Sequence, residues 1–192
     1  EGNKPYRLPV SESPFDVNGE LFDDWRSALS AAGDGDTVKL MSSYELTDDD
    51  LVSIADKSSV TIDLNGYKLI CGNTENAPLW LTASNADKAA VILKNGTIML
   101  SDTPLISYAG SSPGGNGKEF DIHLENLYIG LTPGANLKNI ISESSAANGV
   151  SIRSNITFED TVIDIKRENL ADNPVTALTE GSGALSVKYT FI

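Results

Sequence analysis

Four stretches of this chain repeat one apolar pattern about every thirty residues: VTIDLNGYKLI (60–70), VILKNGTIML (91–100), IHLENLYIGL (122–131) and ITFEDTVIDI (156–165). Ile62, Val91, Ile122 and Ile156 open it, and Leu64, Leu93, Leu124 and Phe158 follow two residues on. Five residues later come Leu69, Ile98, Ile129 and Ile163, and Leu100, Leu131 and Ile165 extend three of the four. A spacing of two puts both side chains on one face of a strand. The odd spacing of five would flip the face of a straight strand, so the chain must bend in between, near Asn-Gly or Asn-Leu. A helical repeat would need apolar spacings of three and four, which these stretches lack. The pattern predicts an all-β fold, a right-handed parallel β-helix of about five to six coils. Leu64, Leu93, Leu124 and Phe158 are then expected to stack one above another.

Short apolar runs between the repeats supply the remaining strands of each coil: Leu79–Leu81, Leu105–Ile106, Ile140–Ile141, Val150 with Ile152, and Val175–Leu178. Gly, Ser, Asn, Asp and Pro separate them, as turns require. SSPGGNGK (111–118) and TPGANLK (132–138) read as the longer loops. Near the start, Phe22, Trp25, Leu29 and Ala32 recur at helical spacing, which predicts an amphipathic capping helix at about 20–32 with Gly33 as its C-terminal cap. A helix there would cover the open end of the solenoid and its unpaired strand edges. Residues 1–19, with Pro5, Pro9 and Pro14, read as an extended arm, and 20–192 as the β-helix domain. The first residue is Glu1 and the last stretch is the apolar SVKYTFI. A removed signal or a fragment is expected at one end, and a cover or further chain at the other.

Charge narrows the partners. The chain carries 27 acidic against 14 basic side chains, a formal charge of −13. Such a field repels phosphate backbones and anionic lipid heads, so no nucleic-acid partner is expected. No apolar run approaches the roughly 20 residues of a membrane span, and no membrane insertion is expected. Cys71 is the only cysteine, so no intrachain disulfide can form. It shares the inward phase of Leu69 and reads as a buried, inert thiol. The acidity permits a Ca²⁺ ion, but no motif calls for one, and neither cofactor nor metal ligand is assigned.

The helix followed by GDGDTVKL (33–40), then VTIDLNGYKL and LKNGTI, resembles the pectin lyase-like superfamily of bacterial secreted β-helix proteins, across about residues 20–165. That resemblance implies the fold and a secreted or cell-surface location. It does not choose an activity, because the superfamily holds pectate lyases, polygalacturonases, tailspike depolymerases and surface proteins without known activity. The polygalacturonase-like set of Asn-Thr-Asp, paired Asp, Gly-His-Gly and Arg-Ile-Lys is missing here. Only the adjacent aspartates of TDDDL, Asp48–Asp50, echo it, and they read as a solvated turn or a helical turn capped by Thr47. A lyase-like base beside calcium-holding carboxylates finds no motif either, and Arg153 and Arg167 read as surface charges.

Outward positions of neighbouring coils lie ~4.8 Å apart. The alignment sets Asp63, Ile92, His123 and Thr157 in one outward row, and Asn65, Lys94, Glu125 and Glu159 in the next. His123, Asp121, Glu125, Glu159 and Lys94 are thereby expected to share a polar patch. A histidine among carboxylates is a candidate acid/base group, and two carboxylates can be spaced for glycoside hydrolysis. The plainer reading is a surface histidine with a Lys94–Glu125 ion pair. Gly66, Asn95, Asn126 and Asp160 form the row at the bend and read as a hydrogen-bonded ladder in the left-handed conformation. Asn95 and Asn155 match the glycosylation pattern, an accidental match in a bacterial chain. Trp80 and Tyr128, placed outward, are the candidate ligand-binding aromatics.

Three functions remain in view. The first is a non-catalytic extracellular or cell-surface module, structural or binding a polysaccharide or a host or cell-surface glycoprotein. The second is a polysaccharide lyase or glycoside hydrolase with an unfamiliar site around His123. The third is an oligomeric assembly module.

Overall fold

The computed structural model describes residues 13–47, 50, 52–55, 59–72, 77–82, 88–109, 118–137, 139–143, 152–165 and 185–191. The chain opens with β1 (Phe15–Val17), β2 (Glu20–Phe22), helix α1 (Trp25–Ala31), β3 (Thr37–Leu40), β4 (Tyr44–Leu46) and β5 (Val52–Ala55). There follow β6 (Val60–Asp63), β7 (Lys68–Cys71), β8 (Leu79–Thr82), β9 (Lys88–Leu100) and β10 (Ile106–Ala109). Last come β11 (Lys118–Leu131), β12 (Ile141–Glu143), β13 (Ile152–Glu159), β14 (Val162–Asp164) and β15 (Leu185–Phe191). The fold is mostly β.

Two sheets hold these strands. The larger runs β15-β13-β11-β9-β6-β3-β1-β2, with β4, β7 and β14 attached alongside, and the smaller runs β12-β10-β8-β5. From β3 to β15 every neighbour on the main path is parallel. So are all pairs of the smaller sheet. The chain alternates between the sheets, leaving the larger after Leu100, adding β10 to the smaller, and returning at Lys118. Inward residues of both sheets meet in a single apolar cluster, where Leu69, Leu79, Leu93, Ile98, Ile106 and Leu124 are fully buried.

The alternation in β9 shows why this sequence folds so. Ala89, Val91 and Leu93 are buried, the phase breaks at Asn95, and Ile98 and Leu100 are buried again. At the break the backbone turns left-handed, with φ of 61° at Asn95, 49° at Asn126 and 45° at Asp160. Asparagine and aspartate tolerate that conformation better than other side chains. One turn therefore bends three successive strands alike, as expected for this row.

Stacking departs from expectation at one place. Leu93, Leu124 and Phe158 are in register, as are Leu69, Ile98, Ile129 and Ile163. Opposite Leu93, however, stands Ile62, not Leu64. The two extra residues form a tight turn, in which Tyr67 N donates to Leu64 O and Thr97 N donates to Tyr67 O. Leu64 stays fully buried by lying over Gly96, where an added Cβ would stand 2.5 Å from Leu64 Cβ and 2.7 Å from Tyr67 O. The outward rows shift accordingly: Thr61 faces Ile92, and Asp63 faces Lys94.

The N-terminal region also differs. Helix α1 is shorter than 20–32, because residues 20–22 form a strand and Asp24 caps the helix by accepting from Ser27 N at 2.7 Å. Its C-terminal cap is Ala32 rather than Gly33. Trp25, Ala28 and Leu29 face the core. Within the stretch expected to be an arm, Phe15–Val17 pairs antiparallel with both β2 and β3 through a turn at Asn18-Gly19. Phe15 is fully buried, its ring 5.8 Å from Trp25 and 4.7 Å from Tyr44. Asp50 is not part of a solvated turn. It is buried and accepts from Thr47 N, Thr47 Oγ1 and Tyr44 Oη at 2.9, 3.0 and 3.2 Å. Residues 1–12, 48–49, 111–117 and 166–184, including Arg167 and the Val175–Leu178 run, lie outside the described residues, as does the Arg153 side chain.

Candidate functional site

Parallel pairing without slippage fixes the outer face of β9, β11 and β13. His123 sits between Ile92 and Thr157, and Glu125 between Lys94 and Glu159. The His123 ring nitrogen Nε2 lies 3.0 Å from Glu159 Oε2, diagonally across one strand step, with both side chains about a third exposed. Glu125 and Glu159 are direct neighbours, like charges side by side, and His123 hydrogen-bonds the second of them. Lys94 faces both Asp63 and Glu125 in the register, yet the expected Lys94–Glu125 ion pair does not form among the described residues.

Asp121 belongs to a different group. Lys88 Nζ lies 2.5 Å from Asp121 Oδ2 and 3.6 Å from Glu119 Oε1. Asn155 Nδ2 donates to Asp121 Oδ1 at 2.7 Å and to Glu119 Oε1 at 3.3 Å. Burial pushes the Asp121 carboxyl up, but the bonds from Lys88 and Asn155 outweigh it and hold the group below the usual range. The bond to Asp121 raises the Lys88 ammonium in turn. The register sets the five expected residues on one face, and the hydrogen bonds there fall into two neighbouring groups, Asp121 with Lys88 and Asn155, and His123 with Glu159. A histidine–carboxylate pair can hold and move a proton.

Beside these clusters, the bend carries a row of polar side chains along the outside. Asn126 Nδ2 donates to Asn95 Oδ1, and Asn95 Nδ2 donates to Asp63 Oδ1, each at 3.1 Å. Asn65 Nδ2 continues to Leu40 O at 3.1 Å. The amides of Asn95 and Asn155, the two glycosylation-pattern residues, are thus both engaged. An open groove of roughly 620 Å³ follows this row, bordered by Asp63, Asp160, Tyr128 and Val162. Tyr128 is 39% exposed and donates its hydroxyl to Asp164, which raises the phenol pKa. Trp80 lies on the smaller sheet, half-buried between the inward Leu79 and Leu81 and paired in register with Ser107. The two candidate aromatics are therefore on different sheets.

Sequence reasoning missed Lys88, Val162 and Asp164. Lys88 precedes the repeated motif and so fell outside the alignment. Val162 and Asp164 alternate outward around the inward Ile163, a period-two signal that was available. Cys71 is fully buried, and burial pushes its thiol up to about 12. Among the described residues, no three His, Cys, Asp or Glu side chains are grouped to hold a metal ion, and no helix is long and apolar enough to cross a membrane. Comparison with models of protein families, with curated proteins and with solved structures finds no match.

Proposed function

We propose that this chain is a right-handed parallel β-helix of about five to six coils, akin to the pectin lyase-like superfamily. It works as a non-catalytic module, secreted or on the cell surface, that binds a glycan or glycoprotein on its outer face. The observation that supports this reading is the unslipped register of β9, β11 and β13, which holds a broad polar outer face in fixed geometry. Parallel crossovers in one sheet are right-handed in nearly all proteins, hence the hand. A rigid scaffold loses little conformational entropy when a ligand docks, which favours recognition by preset side chains. The formal charge of −13 turns the surface away from anionic polymers.

A second reading has one contact behind it. The His123–Glu159 pair, 3.0 Å apart on that face, is a proton-transfer group for a polysaccharide lyase or glycoside hydrolase. Incubation with a panel of soluble polysaccharides separates the two. Retention of a glycan at constant chain length supports the binding module. Depolymerisation that disappears in His123→Ala would replace it with the enzyme.

A further inference from the structure

The binding reading leaves the position and chemistry of the ligand open, and the outer bend supplies both. Five large apolar side chains are exposed among the described residues, and three of them, Tyr67, Tyr128 and Val162, lie at or beside this bend. Tyr128 and Val162 are direct neighbours in the parallel register, so they make one continuous apolar strip. The strip borders the groove that also exposes Asn95, Asn126, Asp63 and Asp160. An exposed aromatic face beside planar amides and carboxylates is the chemistry that recognises sugars. The ring packs on the C–H face of a pyranose, while amides and carboxylates exchange hydrogen bonds with its hydroxyls.

We infer that the groove along this bend binds a neutral, hydroxyl-rich polysaccharide, with Tyr128 as the stacking platform. The inference rests on the binding reading above and deepens it. Charge selects the ligand class. Asp63 and Asp160 are the carboxylates lining the groove, and no Lys, Arg or His lines it among the described residues, so uronate or sulfate groups would meet like charge in the site and across the whole molecule. The hydroxyl of Tyr128 is engaged by Asp164 and its ring lies over Gly130, so the ring is held in place while 39% of the residue stays exposed at the groove. Because equivalent groove residues recur at each strand step of ~4.8 Å, the chain of sugars lies across the strands, following the amide row.

Affinity electrophoresis and calorimetry with soluble neutral glucans, mannans and xylans, beside a polyuronate and a polycation, test this directly. A neutral chain is expected to bind with little loss between low and high salt. Tyr128→Ala should weaken it about tenfold, while Tyr128→Phe keeps the platform and stays within about threefold. Trp80→Ala, on the other sheet, should leave affinity unchanged. Binding lost in Trp80→Ala but kept in Tyr128→Ala would overturn the groove while leaving the binding module standing. Preference for the polyuronate, or for the polycation with salt-sensitive retention alone, would overturn the ligand class. Absence of binding to every glycan tested would remove the binding reading and this inference together.

Discussion

Asn95 and Asn126 are held at φ of 61° and 49°, where an ordinary L-residue is disfavoured by about 1–2 kcal/mol. Each also passes a hydrogen bond down the row. Backbone strain and the lost amide can be separated. Asn126→Ala should destabilise the fold more than Asn126→Gly, by about 1 kcal/mol in denaturant unfolding, since glycine tolerates the angle while neither variant keeps the amide. Equal losses would put the whole effect in the hydrogen bond. Gly96 is required for another reason. A methyl group there meets Leu64 Cβ and Tyr67 O, both far inside contact distance, so Gly96→Ala should cost about 1–3 kcal/mol, as overpacking in a dense core does. The left-handed turn shared by Asn95, Asn126 and Asp160 was legible from residue type at one recurring position, whereas the hydrogen bonds run from Asn126 through Asn95 to Asp63, outside that row. The close approach at Gly96 was not, because it depends on two residues inserted in the neighbouring strand.

The N-terminal elements show how a short hairpin and a short helix close one end of the sheet. Strand β1 pairs with β3 while its ring at Phe15 fills the space between Trp25 and Tyr44. Truncation by Phe15→Ala should lower stability by about 3–5 kcal/mol, read as an earlier midpoint in urea. Asp24 closes the helix, and its bonds to Ser27 N and Oγ hold its carboxyl below the usual value of 3.8. A depressed folded-state pKa means the stabilisation is complete above the unfolded value and is lost as pH falls through the folded one. Asp24→Ala should therefore cost about 1 kcal/mol at pH 7, and the gap from the unaltered chain should close as pH drops below 3.8 toward the folded value. The apolar spacing of Trp25, Leu29 and Ala32 exposed the helix, yet its start came too early because Phe22 fits the same spacing. The hairpin left a clear trace in Asn18-Gly19 between FDV and ELF, a strong turn signal that the nearby prolines masked. Asp50 left none, since an aspartate in TDDD looks the same whether it faces water or folds back onto Tyr44.

Across the whole molecule, the recurring apolar spacing carried the architecture. Leu93, Leu124 and Phe158 could be aligned because each opens the same interval to the next inward residue. Leu64 opens that same interval to Leu69 and was aligned with them, yet Ile62 takes the place beside Leu93, because Val60, Ile62 and Leu64 alternate and a slip of two keeps every side chain on its own face. Hydrophobic pattern alone does not distinguish those registers. The polar patch was legible only in outline for a similar cause: alternation says which side chains point outward, but hydrogen bonding decides that Asp121 turns to Lys88 and His123 to Glu159.

The central claim is that windings of about thirty residues stack in parallel register. Thr37, Thr61, Ile92, His123 and Thr157 then occupy one row. Nitroxide labels at Thr37 and Thr157, which are 120 positions apart in the chain, are separated by four strand steps, or about 19 Å between backbones. Double electron–electron resonance should give one narrow distance peak near that spacing, broadened only by the label linkers. A dominant peak beyond about 30 Å, or a distribution with no single maximum, would contradict the stacked register.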